Sequence, residues 1–226
     1  MSDRPFLSFE AIVARRLGAL DGLKVVDLGC GSGAKTRQLA QLGAEIVGLE
    51  PQPEAVEAAR AEGGGPVYVA GSADDTPFED DAFDLAIFTH SLHHCTDPSA
   101  ALREAARIVR PGGRIAALEP EADDPLYPVA KLIDDEKAVY ALAQNALAET
   151  AAAGFERGEP LFFATRYRIA SAEEMVADLL SVDPTRTVSD MDALSAAFDA
   201  AVRRDDEGAY IPYWQRLDIL TKPATA

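Results

Sequence analysis

Val25-Val26-Asp27-Leu28-Gly29-Cys30-Gly31-Ser32-Gly33 is the stretch on which the fold turns. An apolar run ends in an acid and then in three glycines at every second position. Residues 23–29 read as a buried strand, and residues 34–43 as a helix stopped by Gly43. The glycines between them let the backbone turn sharply and let a ligand approach the main chain closely. The helix that follows points its first N–H groups at the loop, which suits an anion. Asp27, two residues before the first glycine, would repel a pyrophosphate and suit a cationic group.

Outward from this turn, strands and helices alternate. Strands are expected at 44–50, 66–71, 83–90 and 113–120. Helices are expected at 8–19, 53–63 and 98–110. Strands apolar from end to end and separated by helices imply an α/β fold with a mainly parallel sheet, helices covering both faces. After Pro120 the pattern changes. Residues 121–128 read as loop, 129–153 as one long Ala-rich helix and 162–170 as extended or loop. Ser171 and Glu174 form a capping box for a helix at 171–181. A strand at 185–190, a helix at 191–204 and a last strand at 209–223 complete the chain.

The 226 residues suit one domain, 1–226, without a linker. With 48% hydrophobic and 26% charged residues the composition is that of a globular protein. The formal charge of −17 repels phosphate backbones and anionic membrane surfaces, so neither nucleic acid nor membrane is an expected partner. A small-molecule substrate is expected instead. Two cysteines, Cys30 and Cys95, make no disulfide framework. Charges at Asp3, Arg4, Glu10, Arg15 and Arg16 interrupt any apolar leader, and a cytoplasmic location is expected.

Further residues stand where chemistry is done. Glu50 ends the second strand, 21 positions after Gly29, and could accept two hydrogen bonds from a ribose diol. All three histidines fall in Thr89-His90-Ser91-Leu92-His93-His94-Cys95. Read as an α-helix, this segment would put His90, His93 and His94 on one face, a spacing that can bind zinc. His93 and His94 equally read as a packing and hydrogen-bonding pair at a helix start. Glu119 ends the fifth strand, where open α/β sheets bind ligands. It reads either as a group that grips substrate or as a solvated acid.

Four segments in order, VVDLGCGSG, GLEP, GSADDTPFEDDAFDLAIFTHSLHH and LREAARIVRPGGRIAALEP, resemble class I S-adenosylmethionine-dependent methyltransferases. They are closest to the small-molecule group with the ubiquinone- and menaquinone-type enzymes. The resemblance covers residues 20–120. It implies a Rossmann-like seven-stranded sheet of order 3-2-1-4-5-7-6, the last strand antiparallel, with 121–170 inserted as a substrate lid. It implies S-adenosylmethionine as cofactor and S-adenosylhomocysteine as product. Gly29, Cys30, Gly31 and Gly33 would pass under the methionine part, with Asp27 near its amino group. Glu50 would hold the ribose and Pro51 the adenine face. Gly71, Ser72, Ala73 and Asp74 would line the adenine edge, where Ser72 replaces the family's usual acid. Thr89 and His90 would meet the methionine end.

The resemblance also implies direct in-line methyl transfer to O, N, S or C of a small organic acceptor, without a metal. The candidate catalytic residues are His94, His93 and Glu119, with His94 preferred because an equivalent histidine recurs in relatives. The segment after the fourth strand has no Asn/Asp-Pro-Pro-Tyr/Phe signature and no Pro-Cys nucleophile, which disfavours nucleobase methylation. Two other classes stay open: a non-catalytic cofactor-binding or partner module, and an NAD(P)-dependent oxidoreductase, whose glycine spacing differs. A homodimer also stays open.

Overall fold

Val25, Val26 and Leu28 have no exposed surface, and the strand they belong to is paired along both edges. The computed structural model describes residues 4–182 and 185–224. In chain order the elements are α1 (Phe9–Arg16), β1 (Lys24–Leu28), α2 (Ala34–Gln41), β2 (Glu45–Glu50), α3 (Pro53–Glu62), β3 (Val67–Ala70) and β4 (Phe83–Thr89). A single 3₁₀ turn (Leu92–His94) leads into α4 (Pro98–Ile108) and β5 (Val109–Pro120). Then come α5 (Tyr127–Ala130), α6 (Lys137–Ala152), β6 (Glu156–Arg157), β7 (Leu161–Arg168), α7 (Ala172–Val182), α8 (Met191–Ala201), β8 (Arg203–Asp205) and β9 (Gly208–Thr221).

β1 pairs in parallel with β2, from Lys24–Glu45 to Leu28–Leu49, and with β4, from Val25–Leu85 to Asp27–Ile87. β3 extends one side and β5 the other, both in parallel. The sheet order is β3-β2-β1-β4-β5-β9-β6, with β7 and β8 also paired to β9. The α/β class and the order of the first five strands agree with the sequence. The last strand lies next to β5, as expected, and runs antiparallel to β6.

The strand count is nine rather than seven, and the difference lies after β5. Residues 185–190 form no strand. Arg186 there turns its guanidinium to Asp134 (2.9 Å), Glu136 (3.3 Å) and the Leu179 carbonyl (3.2 Å), side-chain bonds that replace a ladder. The outer position falls to the two-residue β6. The long Ala-rich helix is divided into α5 and α6, because Asp135 Oδ1 accepts from the Lys137 N–H (3.3 Å) and the Tyr127 hydroxyl (2.9 Å). The capping box at α7 forms with one shift. Ser171 Oγ accepts from the Glu174 N–H (3.2 Å), and the Glu174 carboxylate accepts from the Ala170 N–H (2.8 Å).

The chain packs as two compact units. One holds the described residues within Ser8–Glu119, Ala141–Leu161 and Arg216–Ala226. In its core Ala101, Leu102, Ala105 and Ile108 of α4 meet Val26, Phe88, Ile115 and Ala117, with Ala146 and Leu147 of α6. The other holds the described residues within Met1–Leu7, Pro120–Tyr140 and Phe162–Gln215. Its core is Val129, Ile169, Met175, Leu194, Phe198 and Ile211. No helix among the described residues is long and apolar enough to cross a membrane.

The β6 edge is held by charge. Asp218 of β9 is fully buried and accepts from Arg157 of β6 (2.8 and 3.2 Å) and from Arg216 (2.7 and 2.9 Å). Replacing Asp218 by Ala should cost about 3 kcal/mol in urea unfolding, the lower end for a broken buried pair, because both arginines keep part of their surface in water. A loss below about 1 kcal/mol would place the cluster among exposed ion pairs of little consequence.

Candidate functional site

From β1 the chain crosses to β2 on one side, while β4, on β1's other side, leads on to β5. Where the winding reverses, the carboxyl ends of β1 and β4 part and leave a crevice. The glycine loop follows the end of β1 there. The N–H groups of Gly29 and Cys30 both donate to the Leu49 carbonyl (2.8 and 3.0 Å). The Gly31 N–H donates to Glu50 Oε2 (2.9 Å), and the Gln52 N–H to Glu50 Oε1 (3.0 Å). Glu50 is 7% exposed. It is therefore no solvated acid: it ties the loop to the end of β2.

The glycines differ in what demands them. A Cβ on Gly33, at φ +81°, would lie 2.4–2.6 Å from the Tyr68 ring and hydroxyl. One on Gly29 would lie 2.5 Å from Ser91 Cβ, and Ser91 Oγ donates to the Leu28 carbonyl (2.6 Å). Gly31, at φ +53°, has nothing within 4 Å of that position. Its backbone faces open space.

Asp27 is 1% exposed. The Thr36 hydroxyl donates to its Oδ2 (2.7 Å), while Oδ1 is buried with no hydrogen-bond partner among the described residues. Burial pushes its pKa up to about 6; the Thr36 bond opposes that rise, and the nearby Glu50 charge adds to it. Thr89 Oγ1, at the end of β4, is likewise buried without a hydrogen-bond partner among the described residues. The next residue, His90, has φ +54° and donates its N–H to the Leu118 carbonyl (2.8 Å). Such strain in a non-glycine residue gathers at functional sites. The half-buried Cys30 thiol is pushed up to about 12, first by burial and then by the charges of Asp27 and Glu50. It stays protonated and is a poor nucleophile.

The α-helical reading of 90–94 is corrected. Only Leu92–His94 turn, as 3₁₀, and His90 lies outside in its left-handed conformation, so the three histidines do not share a helix face. His93 is 4% exposed and its Nδ1 hydrogen-bonds Glu119 Oε2. Glu119 Oε1 accepts from the Leu92 N–H (3.0 Å). A carboxylate there makes Nδ1 the protonated nitrogen and fixes the ring. His94 is exposed, its ring centroid 4.0 Å from that of His93. Glu119, 2% exposed with both oxygens engaged, is a buried partner and not a solvated acid.

In the segment after β3, Ser72 Oγ and Asp74 Oδ1 hydrogen-bond each other on the surface. Ala73 is buried, and Pro51 is exposed at the end of β2. The Gly71 N–H donates to the Glu50 carbonyl (3.1 Å). Glu104 steadies this segment by accepting from the N–H and hydroxyl of Thr76 (2.9 and 2.8 Å). The Arg107 guanidinium foremost, then the Thr76 bonds, hold Glu104 down at about 2. Thr36, Tyr68, Ser91 and Glu104 were not singled out from sequence. Thr36 falls in the first turn of α2, one turn past the loop, a placement that could have drawn notice. The other three carry no local signal.

Residues 26–117 match the methyltransferase domain family. A demethylmenaquinone methyltransferase of Corynebacterium kroppenstedtii is 38% identical over 128 residues, which span 57% of this chain and 54% of the relative. A ubiquinone biosynthesis O-methyltransferase of Proteus mirabilis is 35% identical over 46% of this chain and 44% of its own. The chain thus spans about half the length of the curated relatives it matches. The fold is that of a solved S-adenosylmethionine-dependent methyltransferase from Mesorhizobium loti, with TM-score 0.55 and 19% identity over 94% of this chain and 98% of that one. The matched residues include the glycine loop, Glu50, Asp27 and the histidine turn. Glu119 lies two residues beyond their end.

Alanine substitutions should separate the loop's two constraints. Gly31→Ala should cost roughly 1–2 kcal/mol, from the left-handed backbone alone. Gly33→Ala adds a collision with Tyr68 and should cost roughly 2–5 kcal/mol in all. Equal losses in denaturant titrations would contradict this division.

Proposed function

We propose that this chain is a cytoplasmic S-adenosylmethionine-dependent methyltransferase acting on a small organic acceptor at O, N, S or C, by direct in-line displacement and without a metal. The observation that carries the reading is the buried Oδ1 of Asp27, without a hydrogen-bond partner among the described residues, in the strand that leads into the glycine loop. An orphaned carboxylate oxygen calls for a cationic donor, and an amino-acid ammonium is one. Glu50 keeps lone pairs beyond its two backbone bonds, enough for a ribose diol. Gly29, Cys30, Gly31 and Gly33 would carry the methionine portion, with the open side at Gly31, and Thr89 and His90 would border it. Pro51, Gly71, Ser72, Ala73 and Asp74 would border the adenine. The mutual bond of Ser72 and Asp74 makes them one acceptor pair in place of the family's acid.

The cofactor, when bound, supplies an electrophilic sulfonium methyl group. The chain then has to hold a nucleophile in line, about 3 Å away, and exclude water. In this reading the exposed His94 meets the acceptor and takes its proton where the nucleophile starts protonated. His93 and Glu119 act as positioning residues, because the Glu119 carboxylate is spent on His93 Nδ1 and the Leu92 N–H. In this reading acceptor selection falls to residues 121–170.

The titration of Asp27 gives a test. A cation beside it favours the ionised form, so binding releases a proton wherever the free protein holds one. Affinity for S-adenosylhomocysteine, which keeps the ammonium, should fall as pH drops through about 6, by up to about tenfold per unit. Asp27→Asn should bind weakly with a flat profile. Glu50→Ala should lose about 1–3 kcal/mol of binding. A pH-independent affinity in the unaltered protein, or full affinity in Glu50→Ala, would overturn these assignments.

A further inference from the structure

We propose that Phe162, Trp214 and Glu121 form a cation-recognition site for a guanidinium or substituted ammonium group, with Arg4 of the same chain as its built-in occupant. The proposal is independent of the methyl-transfer reading. Arg4 Cζ lies 4.5 Å from the Phe162 ring centroid and 5.5 Å from that of Trp214. Its Nη2 donates to Glu121 Oε2 at 2.6 Å. Two aromatic faces and a carboxylate around one cation are the chemistry by which proteins recognise ammonium and guanidinium groups.

The walls are fixed by paired strands. The Glu121 N–H donates to the Trp214 carbonyl (3.0 Å), and β7, which carries Phe162, pairs with β9, which carries Trp214. Gln215 Nε2 donates to Thr165 Oγ1 across the same two strands (2.6 Å). The occupant, by contrast, arrives on a short strap. Leu7 donates its N–H to the Ala164 carbonyl (3.0 Å), and the Ala164 N–H donates to the Pro5 carbonyl (2.9 Å). Phe6 meets Tyr210 edge-on at 6.0 Å and is 37% exposed.

The occupant also fits incompletely. Arg4 Nε and Glu121 Oε1 are both buried with no hydrogen-bond partner among the described residues. A bidentate pair would use both. Arg4 makes one charge-assisted bond where two are available, and a ligand that reaches both carboxylate oxygens would satisfy the site better. The tether is what keeps Arg4 in place. A side chain on a short link acts at an effective concentration of millimolar order, against which a free cation must compete.

The test uses the full chain, with ethylguanidinium as probe and N-ethylurea as its neutral counterpart at equal ionic strength. Trp214 is the chain's single tryptophan, so its fluorescence reports on the cage alone. Arg4→Ala should respond to ethylguanidinium saturably, at concentrations about tenfold or more below those the unaltered chain requires. N-ethylurea should give no response, and adding Glu121→Gln should abolish that of the cation. Arg4→Lys, which keeps a tethered cation, should resist the probe as the parent does. Should Arg4→Ala fail to fold by circular dichroism, Arg4→Gln carries the same test. Equal responses with and without Arg4, a response to N-ethylurea, or one that survives Glu121→Gln would overturn the proposal.

Discussion

The hold that β2 keeps on the glycine loop is the constraint on which the site depends. Leu49 offers one carbonyl to two successive N–H groups, and Glu50 offers its carboxylate to a third. Three donors of a tight turn are thereby satisfied by the end of the neighbouring strand. With the loop pinned from that side, Ser91 packs on Gly29 from the other, through its bond to Leu28. The loop at the end of β1 is thus held by the end of β2 and by the segment that follows β4.

Three acids stand at or next to the ends of β1, β2 and β5 in a chain that already carries a charge of −17, and all three are buried. Burying a carboxylate is costly unless hydrogen bonds replace its water. Glu50 and Glu119 meet that condition through backbone N–H groups, with His93 added at Glu119. Asp27 meets it at one oxygen only. The imbalance separates acids that build the site from the one that still needs a donor. Arg4 and Glu121 show the same kind of imbalance in the other unit, each with one buried atom unmatched.

The legible part of the fold was β1 to β5 with their helices, because each strand there is an apolar run between turn signals and its partners follow from the alternation. The last part was less so. β6 is two residues long and has no pattern of its own, and Arg186 is drawn into side-chain bonds where a strand was expected. The ends of the strands named the candidate residues, since ligands gather there in such sheets. Their partners were hidden. Ser91 reaches Leu28 across 63 positions, and Glu104 reaches Thr76 across 28. No local spacing encodes such pairs. The histidine turn misled for a related reason: three residues of 3₁₀ helix look like the start of an α-helix until the left-handed His90 is known.

Calorimetric titration of the unaltered protein with S-adenosylmethionine, S-adenosylhomocysteine, NAD and NADP tests the account most directly. It predicts saturable binding of the first two and none of the dinucleotides, because the proposal pairs Asp27 with an ammonium, and a carboxylate there would repel a pyrophosphate. Dinucleotide binding with no response to either sulfur nucleoside would contradict it, and would turn Asp27 and the glycine loop to another chemistry.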